Sequence, residues 1–136
     1  MTEIPKATRE EIAKYKDQDL DTLFSIVDLI RSSKESVLYL PGNEVERGQA
    51  HFDMWVPLLR HRICKDWNYC AKRNDPDLQD DVTLIAGVAD AIASVVIGFP
   101  PVLISTILVK KGLTAFCGCR ESEMKTAKKG EGIGEQ

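Results

Sequence analysis

From residue 8 onward, apolar side chains recur every three or four positions, and no stretch alternates well enough for a convincing strand. Thr8 followed by Glu11 has the spacing of a capping box and predicts a short first helix over 8–16. Leu20, Leu23, Phe24, Val27 and Ile30 fall on one face of a second helix. Asp17, Asp19 and Asp21 stand at its start, where carboxylates meet the positive end of the helix dipole. Residues 36–40 have some β character, cut short by Pro41-Gly42. The third helical region, 44–72, carries Phe52, Val56, Leu59 and Ile63 on one line with Trp55 beside it, and Pro57 predicts a kink or restart.

The later chain is more apolar. Asp75 suits an N-cap and Pro76 the first helical position, so a fourth helix is expected over about 77–97. Residues 82–109 then run 28 positions with a single charge, Asp90, interrupted by Gly98-Phe99-Pro100-Pro101. A glycine followed by paired prolines predicts a turn between two apolar helices, the second over about 101–117. The fold class expected is all-α: a bundle of four main helices plus the short N-terminal one, centred on this apolar hairpin. Residues 1–119 form one domain in this reading. The Lys-, Glu- and Gly-rich residues 120–136 have little to bury and are expected to be a disordered tail.

The same run admits a membrane reading. Residues 91–109 contain no charge and are followed by Lys110 and Lys111, which suit a cytoplasmic flank, so an inserted hairpin is the alternative to a buried one. Asp90 informs either case, because an unpaired buried carboxylate costs several kcal/mol and must face water, a cation or a partner. It shares a thin polar stripe with Thr83 and Ser94, the interaction line expected on the fourth helix.

Composition adds limits. With 136 residues, 43% hydrophobic and 29% charged, the chain is large enough for an ordinary core. A formal charge of −3 argues against nucleic acid as the main partner. The N-terminal residues lack the apolar core of a signal peptide, so a cytoplasmic location is expected, with Cys64, Cys70, Cys117 and Cys119 as reduced thiols. Membrane association at the inner face of the cell membrane is the alternative location.

Residues 60–73 concentrate the basic chemistry. Arg60, Arg62, Lys65, Lys72 and Arg73 stand against one acid, Asp66, with Trp67 and Tyr69 interleaved. Rings that stack and cations that hold phosphate would suit a nucleotide, a nucleic acid or an anionic head group, but a solvated helix face with Trp67 packed inward is the plainer reading of the pattern. His61, Cys64, Cys117 and Cys119 are the weak metal candidates, since one histidine and three cysteines can hold zinc. Their spacing follows no standard knuckle, and no metal or cofactor is expected. A Cys64 nucleophile with His61 or His51 as base lacks any orienting third group, and no enzyme activity is expected. The glycines at 130, 132 and 134 follow no strand and make no phosphate loop. The leading expectation is a non-enzymatic cytoplasmic interaction module, an adaptor or regulatory subunit that binds a protein partner or its own copies. A membrane-active protein and a small nucleotide- or nucleic-acid-binding domain are the alternatives.

Overall fold

A computed structural model describes residues 6–34 and 42–119 of the chain. The β-like segment 36–40 and the tail 120–136 lie outside the described residues. Within them the chain is helical, with no strand. In order come α1 (Lys6–Lys16), α2 (Leu20–Lys34), α3 (Glu44–Arg60), a π-helix (His61–Asp66), α4 (Tyr69–Lys72), a 3-10 turn (Pro76–Leu78), α5 (Asp81–Ile92), α6 (Pro101–Lys111) and α7 (Leu113–Cys117).

α6 is the centre of the bundle. Every residue from Val102 to Leu108 is buried, and α1, α2, α5 and α7 all touch it. Two of the buried residues are polar, and each hydroxyl is satisfied. Ser105 Oγ donates to the Ile85 carbonyl of α5 at 2.7 Å, and Thr106 Oγ1 to Val102 one turn back at 2.7 Å. Around this axis α1 contributes Ile12 and Tyr15, α2 Leu23, Phe24 and Val27, and α5 Ile85, Val88, Ala89 and Ile92. The central apolar hairpin is therefore α5 folded back on α6.

The hairpin helices are shorter than their hydrophobic pattern suggests. Asp75 caps only the 3-10 turn, accepting the Asp77 N–H, while Asp80 caps α5 by accepting the Thr83 N–H at 3.0 Å. α5 ends at Ile92, and residues 93–99 pass through successive turns before Pro101 starts α6. Ser94, Val95, Val96 and Ile97 favour this early stop, because side chains of these types lose rotamer freedom in a helix or compete for its hydrogen bonds. Gly98 then takes φ +92°, open only to glycine at low cost. At Gly112, φ +99°, the second arm breaks again and α7 restarts. With 12 and 11 residues, α5 and α6 reach only about 17 Å, against about 30 Å of hydrocarbon. Among the described residues no helix is long and apolar enough to cross a membrane.

α2 and α3 make the second antiparallel pair. Phe24 packs edge-on against Phe52 at 5.7 Å, while Asp28, one turn later, meets Arg47, one turn earlier. The helices touch at Gly48, where an added Cβ would overlap the Phe24 carbonyl oxygen. Asp28 is fully buried yet takes three hydrogen bonds of 2.9–3.2 Å from Arg47 and one of 3.3 Å from Arg31. Burial pushes its carboxyl up, but the two guanidinium groups outweigh that and hold it below the ordinary aspartate value. Asp19 caps α2 through the Thr22 N–H at 2.8 Å, as its position suggests. Thr8, expected as a cap, lies inside α1.

Two disulfides correct the expected thiol chemistry. Cys64 is bonded to Cys117 and Cys70 to Cys119, so no cysteine is free. Both bonds join the same two places, tying the end of α7 to the π-helix and α4. They close loops of 53 and 49 residues. Arg60 reinforces the join, donating from Nε to the Phe116 carbonyl at 3.2 Å with its guanidinium 4.9 Å from the Phe116 ring centre.

Candidate functional site

α3 carries two apolar lines. Phe52 and Leu59, with Ile63 beyond the helix end, are buried. His51, Met54, Trp55 and Leu58, spaced three and four apart, form a second line along its flank. Here the structure leaves large apolar surface in solvent: Met54 is 73% exposed and Leu58 61%. The turn between α5 and α6 adds Ile97, 79% exposed, and Phe99. Phe99 lies edge-on to Trp55 at 4.9 Å and 5.4 Å from the His51 ring, and His51 stands edge-on to Trp55 at 4.8 Å. Three interlocked rings thus hold the turn against α3. Pro57 is exposed and leaves the helix unbroken. The irregularity comes one turn later, in the π-helix His61–Asp66, and Asn68 in the left-handed conformation then redirects the chain into α4.

Past the aromatic cluster the face becomes polar. α5 and its following turn run antiparallel along α3 and the π-helix: Phe99 lies at Trp55, Ser94 at Arg62, and Gly87 at Trp67. The absence of a side chain at Gly87 makes room for Trp67, whose Cζ2 would stand 3.2 Å from an added Cβ. The polar stripe and the basic-aromatic segment, separate in sequence, therefore adjoin. Arg62 Nη2 donates to Ser94 Oγ at 3.0 Å and Nη1 reaches Asp66 at 3.5 Å, with His61 Nδ1 3.6 Å from the same carboxylate. Asp90 is exposed between Gly87 and Ser94. Thr83 turns its hydroxyl to the Asp80 cap at 3.1 Å.

The remaining basic residues are spread out. Arg60 is engaged with Phe116 on the α7 side. Lys72 stands 5.8 Å from the Trp67 ring centre, and Trp67 stacks at 6.4 Å on Tyr69, which is buried. Lys65 is exposed, and Arg73 is partly buried near the 3-10 turn, its carbonyl accepting from Gln79 at 3.0 Å. Lys110 and Lys111 occupy the last turn of α6, where cations suit the carbonyl end of a helix.

The metal candidates do not survive as a set. Cys64, Cys117 and Cys119 are all in disulfides, which removes the thiolates zinc requires and leaves His61 beside Asp66. The same pairing removes the thiolate that nucleophilic catalysis at Cys64 would need. Among the described residues no group of three or more His, Cys, Asp and Glu side chains is placed to hold a metal ion.

The exposed apolar face of α3 has a signal in the sequence that does not by itself identify it. His51, Met54, Trp55 and Leu58 keep helical spacing, but a pattern alone does not say which of two apolar lines faces inward. Set against known protein families, curated proteins and solved structures, the chain matches none.

Proposed function

We propose that the chain is a non-enzymatic protein-interaction module whose contact surface is the Met54–Trp55–Leu58 flank of α3 with Ile97 and Phe99. The observation that carries this reading is the exposure of three large aliphatic side chains around a fixed aromatic cluster. Aromatic residues and methionine are enriched in interface cores, and rigid rings lose little entropy on binding. The polar continuation through Arg62, Ser94, Asp90 and Trp67 supplies a rim of directional groups. Less supports a nucleotide or nucleic-acid site, because Arg60, Arg62 and Lys72 are turned to Phe116, Ser94 and Trp67.

The thiol chemistry bears on location. The cytoplasmic expectation rested on the N-terminal residues and took the cysteines as reduced thiols, whereas paired ones persist in oxidising compartments, so we place the working module in such a compartment.

Affinity capture from the source cells tests the function. The wild-type chain should retain a protein that the double variant Met54→Asp, Leu58→Asp loses, with both baits equally helical, and the pair should re-form from purified components. Identical captured sets for both baits would overturn the reading.

A further inference from the structure

We infer that the four cysteines of the clamp, once reduced, bind one zinc ion as a tetrathiolate site that holds the same join as the two disulfides. This goes beyond the interaction reading above and does not rest on it.

Cys64, Cys70, Cys117 and Cys119 are the only cysteines of the chain, and the fold brings all four to one junction. Each disulfide joins one residue of the 64–70 segment to one of the 117–119 segment, with Cα atoms 5.4 Å apart in both. Cys117 and Cys119 flank a single residue, so their Cα atoms are at most about 7 Å apart. Gly118, at φ +66°, turns the chain there, its N–H donating to the Ala115 carbonyl and that of Cys119 to the Thr114 carbonyl. Across the junction, the Trp67 N–H closes on the Arg62 carbonyl and Asn68 takes φ +59°. Cys64 and Cys70 thereby meet the end of the same short helix.

In the oxidised chain no metal can sit there, because every sulfur is bonded to another. All four residues are partly exposed, within reach of a small dithiol. Two dithiol molecules open the two bonds by exchange, each leaving as a cyclic disulfide, and four cysteine thiols remain. Those thiols release four protons as they bind the zinc ion, which leaves a doubly negative complex. A tetrahedron with zinc–sulfur bonds of about 2.3 Å has edges of about 3.8 Å, a spacing that cysteines at these Cα separations reach by side-chain rotation. Lys65 beside Cys64, and Arg60, whose Nε donates to the carbonyl next to Cys117, set positive charge near that complex. Ligation at the same four points closes the same loops, so zinc restores the constraint that reduction removes.

Zinc and cobalt titrations of the reduced full chain test this, in a phosphine reductant rather than a dithiol that would itself bind metal. One zinc ion should bind per chain, and cobalt in its place should show the visible bands of a tetrahedral tetrathiolate. The thermal midpoint of the reduced chain should rise with zinc concentration, and a chelator should reverse the rise. If the reduced chain is unfolded without metal, zinc should restore its helical spectrum. Cys70→Ser and, separately, Cys117→Ser should each lose the tetrathiolate bands and the zinc-dependent rise, whereas His61→Ala should keep both. A reduced chain that binds no zinc, or binds it with no gain in helix or midpoint, overturns the site. Binding that survives both cysteine variants, or fails in His61→Ala, assigns the metal to another donor set and overturns it equally. The contact surface is tested apart from this, by capture on the oxidised chain.

Discussion

At the scale of single residues, Asp28 and Gly48 decide how α2 meets α3. Nothing in the sequence marks Asp28 as buried, because its main partner, Arg47, is 19 residues away on the next helix. Local pattern reading sees an acid beside Val27 and assigns it to solvent. Replacing Asp28 by Asn should cost about 2–3 kcal/mol, less than for a wholly buried pair because Arg31 and Arg47 keep 21% and 27% of their side chains exposed. The pH dependence carries a definite sign. The folded carboxyl titrates below its unfolded value near about 3.9, so its contribution is complete above that pH and is lost as the pH falls through the folded value. Urea unfolding should show the gap between wild type and Asp28→Asn constant near neutrality and closing below about pH 4. A gap unchanged down to strong acid would mean the ion pair is not what stabilises Asp28. Gly48→Ala should cost more than about 3 kcal/mol, because its Cβ meets backbone rather than a movable side chain. An alanine variant as stable as wild type would show that the helices do not approach so closely.

At the scale of elements, the helices were legible and their ends were not. Period and punctuation located α2, α3, α5 and α6, since apolar spacing and Pro101 act locally, although Pro76 opens only the 3-10 turn ahead of α5. The disulfides were not legible, since pairing depends on which ends the fold brings together. Cys117 and Cys119 are too close to pair readily with each other, and only α7 seated on the π-helix and α4 reveals two partners at matching separation. The two bonds constrain nearly one loop. On the chain-entropy account, closing about 50 residues stabilises by about 4 kcal/mol, but the second bond then closes a ring of only about 10 residues, worth a little under 3. Losing either bond (Cys64→Ser with Cys117→Ser, or Cys70→Ser with Cys119→Ser) should therefore cost about 3 kcal/mol, whereas losing both should cost about 7. Chemical denaturation of the two pair variants and the fourfold variant measures this. If the single losses already sum to the fourfold loss, the bonds act on independent loops and the shared clamp is wrong. The two aromatic contacts at Phe99 were illegible for the same reason, since they join residues the sequence places far apart.

At the scale of the whole molecule, the same hydrophobic run builds the core and its exposed face, and adjacent residues separate the two roles. Val96 is fully buried at the end of the α5–α6 hairpin, while Ile97 beside it is 79% exposed. Hydropathy scores them alike, and only the turns that break α5 after Ile92 direct one inward and the other outward. Val96→Asp would bury a carboxylate at a fully buried position of the apolar core, at a cost of several kcal/mol. That is comparable with the entire stability of a domain this size, about 5–15 kcal/mol, so the variant should fail to fold cooperatively. Ile97→Asp removes no packing and relieves exposed apolar surface, so its unfolding midpoint should shift by no more than about 0.5 kcal/mol. Thermal unfolding followed by circular dichroism distinguishes them directly. A folded Val96→Asp would mean the turn can rotate its side chains outward and that the rings of His51, Trp55 and Phe99 do not hold it. A destabilised Ile97→Asp would mean its side chain is covered within the single chain, and the surface proposed for a partner would then be part of the core.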